Sequence, residues 1–164
     1  MRLRTRFLSR FLAPLALLAA LMLVPALPAR ADQSVSCPEA GLSMVLPDSF
    51  EPIAFSPEED PDLRQFWRSG SLDMTVYVSW VGPTVRLDDL LQVLTGNEDE
   101  YGTVLLDGQE ALYAAGTDGS EAYRMYTWIY QNSSVTLWFC WDPENRRAEQ
   151  VIDDITSTLI LSLD

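Results

Sequence analysis

Between Ser71 and Val81 apolar and polar residues alternate without a break. Leu72, Met74, Val76, Val78 and Trp80 share one face of an extended chain, and Asp73, Thr75, Tyr77 and Ser79 share the other. A period of two predicts a strand, because successive side chains leave opposite sides of the pleat. Leu63 to Arg68 precedes it across Ser69-Gly70, so the pair reads as a hairpin, and Gly82-Pro83 stops the second arm. Upstream, Leu42, Met44 and Leu46 alternate with Ser43 and Val45 and predict a shorter strand that ends at Pro47. Residues 32–40 read as a polar lead-in. Pro47 to Phe50 reads as a turn, Ile53 to Phe55 as a short strand, and Ser56 to Asp62 as an acidic, proline-rich loop.

The period then changes. Leu87, Leu90, Leu91 and Leu94 recur at i, i+3, i+4 and i+7, predicting a helix over about Thr84 to Thr95, with Gly96 placed for a left-handed C-cap. Four strands follow as a meander, at about residues 102–106, 109–116, 121–130 and 135–141. They are separated by turns at Asp107-Gly108, Asp118-Gly119 and Asn132-Ser133. If the last two loops have two residues, 117 pairs with 120 and 131 with 134. One face then carries Leu112, Met125 and Cys140; the other carries Ala111, Tyr126 and Phe139, with Tyr113, Arg124 and Trp141 alongside. A second helix is predicted from Asp142-Pro143 to Leu161, with Ala148, Val151, Ile152, Ile155 and Leu159 on one stripe. Both sheet faces are largely apolar and two amphipathic helices are available to cover them. The expected architecture is α+β: an α/β/α sandwich around an antiparallel sheet.

Residues 1–31 stand apart from this pattern. Four arginines by Arg10, an apolar run from Phe11 to Leu27 and the Ala29-Arg30-Ala31 box predict a signal peptide cut between Ala31 and Asp32. The alternative is an uncleaved membrane anchor. Residues 32–164 then form one domain in a secreted or extracytoplasmic compartment of the bacterial envelope, with no membrane span left after cleavage. Removing five arginines takes the formal charge from -13 to -18, and the sequence has no lysine and no histidine. Such acidity disfavours nucleic acid and suits cations or a basic partner. Export permits a disulfide between Cys37 and Cys140; two separate thiols are the alternative.

The missing residue types exclude much chemistry. A serine or cysteine nucleophile usually needs a histidine or lysine base, and histidine zinc sites, Schiff bases and phosphate-loop lysines are equally ruled out. Carboxylates remain, and a pair of them can hydrolyse glycosides, but no pair stands out among 24 acids. Acidic loops can hold calcium: Glu58, Glu59, Asp60 and Asp62 crowd one, and Glu98 and Asp99 crowd another beside Asn97 and Glu100. The second loop begins like an EF-hand, but its twelfth position is Gly108 rather than an acid. Tyr126, Trp128 and Tyr130 share a strand face, with Trp138 on the neighbouring strand. These are core residues if a helix covers them, and a sugar- or protein-binding platform if not.

The order of elements resembles the PsbP-like group, including small exported bacterial proteins similar to PsbP and DcrB. The matching stretches are Gly41 to Phe50, the Ser71 to Val81 strand, the leucine helix, the meander with Asp107-Gly108-Gln109-Glu110-Ala111, and the Asp142 to Leu161 helix. The resemblance implies an α/β/α sandwich and an accessory or binding role without catalysis. Plant PsbP engages metal ions, a role for which this chain offers no histidine. The expectation is therefore a non-catalytic exported domain acting through protein or cell-envelope contacts. The alternatives are an extracytoplasmic calcium-binding module and, next, a carboxylate-dependent hydrolase.

Overall fold

A computed structural model describes residues 32–94 and 100–162. Ten strands and two helices follow in the order β1 (Gln33–Cys37), β2 (Leu42–Leu46), β3 (Glu51–Pro52), β4 (Leu63–Ser69), β5 (Leu72–Trp80), α1 (Leu87–Leu94), β6 (Glu100–Leu106), β7 (Gln109–Asp118), β8 (Glu121–Tyr130), β9 (Ser133–Trp141), α2 (Ala148–Thr156) and β10 (Ile160–Leu161). Seven strands form one sheet in the order β3-β4-β5-β9-β8-β7-β6, and three form a small sheet in the order β1-β2-β10. Every pairing is antiparallel.

The alternation in β5 sets the large sheet's two faces. Leu72, Met74, Val76 and Val78 pair with Trp141, Phe139, Leu137 and Val135 of β9, and all eight are buried. Tyr126 and Trp128 of β8 continue this face. The small sheet and α2 close over it with Val35, Leu42, Met44, Leu46, Ala148, Ile152 and Ile155. Tyr126 and Trp128 are therefore core residues, not an exposed platform. Trp138, two positions from Leu137's neighbour Thr136, lies on the opposite face.

The α+β sandwich is thus as expected, with several boundaries moved. β1 carries only Val35 and Cys37 inward, too few to mark a strand by alternation; pairing with β2 supplies the rest. Residues 53–55 are not a strand: the ladder ends at Glu51–Pro52, with one further bond from the Ile53 amide to the Phe66 carbonyl at 2.8 Å. Asp142-Pro143 builds a turn rather than a helix start: Asp142 accepts from the Glu144 and Asn145 amides at 2.9 and 2.8 Å, and α2 begins at Ala148. It ends at Thr156, where Thr156, Ser157 and Thr158 donate their hydroxyls back to carbonyls of the last turn. Such side-chain bonds compete with continued helix. Ile160 and Leu161 then pair with Ser43 and Leu42.

The meander register is also one step away from that expected. Asp118 pairs with Glu121 and Tyr130 with Ser133, so the loops are Gly119-Ser120 and Gln131-Asn132. Gln131 and Asn132 both have positive φ, as a type I′ turn requires. The slip moves each pairing by two residues, so every side chain keeps its expected face. Asp107-Gly108 is the expected two-residue turn, with φ of 47° and 78°.

Gly41 joins the 3-10 turn Pro38–Ala40 to β2 at φ 60°, with its amide donating to Pro38. A Cβ there would meet the Tyr130 ring at 2.5 Å. Gly41→Ala therefore combines left-handed strain with a clash, and should cost about 1–3 kcal/mol. Adding Tyr130→Ala should remove only the clash. Urea unfolding of the single and double variants checks this; a Gly41→Ala midpoint equal to wild type would contradict it.

Candidate binding groove

The second face of the large sheet is only partly covered. Thr75, Tyr77 and Ser79 of β5 stand opposite Trp138, Thr136 and Ser134 of β9, with Tyr123, Met125 and Thr127 next on β8. Helix α1 lies on the β7 side, and its Leu87, Leu90 and Leu91 are only half-buried. The expectation that both faces are sealed by helices fails here. Alternating hydroxyl and aromatic side chains give this face less apolar area than the packed one, so complete cover is not needed.

What remains open is a groove of about 550 Å³. Its floor is Tyr77, Ser79, Tyr123, Met125, Thr127, Ser134, Thr136 and Trp138; its rim is Leu90 of α1 on one side and Asp60 and Asp62 of the loop before β4 on the other. An irregularity places that loop. The β4–β5 register shifts between Leu63 and Gln65, and ahead of it the Asp62 carbonyl accepts from the Val78 amide at 2.8 Å. Ser79 donates its hydroxyl to the Asp62 carboxylate at 2.6 Å. Arg64 donates to the Pro61 and Val78 carbonyls, fastening the loop's end to β5.

The floor is internally bonded. Thr127 and Thr136 face each other across the β8–β9 pair with their hydroxyl oxygens 2.9 Å apart. The Tyr123 and Trp138 rings are tilted, 5.5 Å between centroids. Trp138 donates its indole N–H to the Cys140 sulfur at 2.7 Å. A second depression of about 310 Å³ shares Tyr77 and Trp138 with the first and adds Phe66, Asp73, Glu121 and Cys140.

The residues singled out from sequence divide. Asp60 and Asp62 reach the groove, whereas Glu58 and Glu59 are exposed outside it. Glu98 and Asp99 lie outside the described residues, as do the signal segment and Ala31; Asp32 is exposed at the start of the described chain. Among the described residues no three acidic, cysteine or histidine groups gather as metal ligands. None of the described helices is long and apolar enough to cross a membrane. The expected Cys37–Cys140 bridge is not formed: both are free thiols. Cys37 is 1% exposed in the core beneath the packed face, and Cys140 lies on the groove face, so the large sheet separates them. Pairing argued from compartment alone ignores the two-residue period, which already sets Cys140 opposite Phe139.

Tyr77, Tyr123, Trp138 and the hydroxyl row were not singled out from the sequence. The available signal was the polar phase of β5 and β9, which becomes a site only when those two non-consecutive strands pair.

No protein-family model matches the sequence, and no curated protein does. Among solved structures, the solution structure of cyanobacterial PsbP (CyanoP) from Synechocystis sp. PCC 6803 matches with a TM-score of 0.61 at 11% identity, over 84% of this chain and 96% of that one. A crystal structure from Bacteroides thetaiotaomicron VPI-5482 matches at 0.58 and 12% identity, over 80% of this chain and 49% of that one. The fold is PsbP-like.

Two predictions follow from the burial of ionisable groups. Burial raises both thiols above their ordinary 9.0, but Cys140 borders a depression and Cys37 is sealed. A maleimide should label Cys140 first and faster at alkaline pH, with Cys37 reacting only on unfolding, as peptide mass mapping would show. Equal native rates would contradict the placement. Burial likewise raises the Tyr77, Tyr113 and Tyr126 phenols above 10.0. The folded chain then holds these protons at pH values where the unfolded chain releases them. Stability is full below about pH 9 and falls as pH rises further. Urea midpoints measured from pH 7 to 11 should decline over the upper half; a flat or rising profile would contradict this.

Proposed function

We propose that residues 32–164 act as a non-catalytic, exported binding domain that contacts another protein or a cell-envelope component through the groove. The observation that carries this reading is the half-covered sheet face, where aromatic rings and hydroxyls line a hollow of about 550 Å³ beside a loop pinned by Arg64 and Ser79. A hollow with an apolar body and a few convergent polar groups is the usual form of a binding site. The signal-peptide pattern of residues 1–31 supports export.

Catalysis is poorly supplied. Ser79 has a carboxylate partner but no imidazole or amine, and a carboxylate is far too weak a base to ionise a serine hydroxyl. Asp60 and Asp62 belong to one loop, whereas the two acids of a glycosidase flank the scissile bond. The calcium reading obtains two side chains at this rim, where that ion takes about six to eight oxygens.

Blocking the hollow tests the proposal. Ser134→Trp fills the floor from a half-buried position. The wild-type protein should retain a component from native envelope fractions, and Ser134→Trp should release it while melting normally. Equal retention by both, or turnover of a small substrate lost in Asp60→Asn, would overturn the reading.

A further inference from the structure

We propose that the groove receives a basic stretch of a partner polypeptide. An arginine or lysine side chain lies with its stem across the Tyr77, Tyr123 and Trp138 rings and its charged head at Asp60 and Asp62. The inference rests on the groove being the binding surface and adds the chemistry of what fills it.

No polar group lining the hollow carries a positive charge. Asp60 and Asp62 are carboxylates; Ser79, Thr127, Ser134 and Thr136 are hydroxyls; the tyrosines add phenols. Two arginines lie nearby, but neither lines the hollow. Arg64 donates to the Pro61, Leu63 and Val78 carbonyls. Arg68 holds Asp73 through two bonds of 2.6 and 2.7 Å. An anion would therefore meet two carboxylates with no positive charge in the lining to compensate. A neutral ligand could donate to them but would leave their charge uncompensated. A guanidinium or ammonium satisfies both the acids and the ring faces, which attract cations through their quadrupoles. The formal charge of the whole chain, -13, draws such a partner in from a distance.

The shape selects a polypeptide over a small free amine. The second depression joins the first at Tyr77 and Trp138 and brings Glu121 to its far end, beside the Asp73 that Arg68 already holds. The trough then follows β5 from Ser79 to Asp73, six steps of about 3.3 Å, or about 20 Å. That length accommodates about six residues of extended chain, with Asp60 and Asp62 near one end and Glu121 near the other.

The test uses a fluorescein-labelled nine-residue peptide alternating arginine and leucine, its citrulline counterpart of equal shape and no charge, and free agmatine. Fluorescence anisotropy with the purified protein should show the arginine peptide binding at least about tenfold tighter than the citrulline one. Asp60→Asn with Asp62→Asn keeps an acceptor for Ser79 and should bring the two peptides to within about twofold of each other. Glu144→Gln with Glu149→Gln removes the same charge from exposed sites at α2 and should change nothing. Equal loss in both double variants would reduce the effect to bulk charge and overturn the site. Equal affinity for the two peptides, abolished by Ser134→Trp, would overturn the cation while leaving the groove reading standing. Tight binding of the arginine peptide unaffected by Ser134→Trp would overturn the groove reading itself. Agmatine displacing the peptide at matched concentration would overturn the polypeptide as occupant.

Discussion

The antiparallel pairing of β5 with β9 is the constraint on which everything else rests. Nine consecutive residue pairs, from Leu72 with Trp141 to Trp80 with Ser133, run without a bulge. An unbroken register of this length leaves no freedom about which side chains share a face. Leu72, Met74, Val76, Val78 and their partners must be buried together, and they recruit the small sheet and α2. The same geometry obliges Thr75, Tyr77, Ser79, Thr136 and Trp138 to gather on the reverse. Core and groove are two outcomes of one alternation.

The reverse face persists as a hollow because its cover is thin. Leu87, Leu90 and Leu91 of α1 sink only halfway, and the loop through Asp60 and Asp62 is held at the rim by its bonds to Val78 and Ser79 rather than lying across the floor. Thr127 and Thr136 satisfy one another, so this part of the floor tolerates partial wetting. Two fully apolar faces would have demanded full cover. One apolar and one mixed face leave less hydrocarbon exposed at the opening than two apolar faces would.

Much of the fold was legible because it is written locally. The β5 alternation, the leucine spacing of α1, the Asp107-Gly108 turn and the stripe through Ile152 and Ile155 each need only a few neighbours to read. What escaped depends on distant partners. β1 has two inward residues and exists because β2 is beside it. Asp142-Pro143 carries the usual marks of a helix start, but Asp142 spends its acceptors on the Glu144 and Asn145 amides. The groove was the least legible part: Tyr77 and Trp138 lie 61 positions apart and come together only across the β5–β9 pair. Asp60 and Asp62 were visible as an acidic cluster, yet nothing local distinguished them from Glu58 and Glu59, which face solvent. The cysteines show the opposite failure. A plausible pairing by compartment was defeated by an entire sheet standing between the two sulfurs.

The short strand β10 ties the last part of the chain to the first. Leu161 donates its amide to the Asp107 carboxylate at 2.9 Å, Ser162 donates to the Gly41 carbonyl at 2.7 Å, and Ile160 and Leu161 complete the small sheet beside β2. β2 therefore lacks one of its two neighbours until this segment folds back onto it. The small sheet cannot close until Ile160 and Leu161, more than a hundred positions along the chain from Ser43 and Leu42, reach β2.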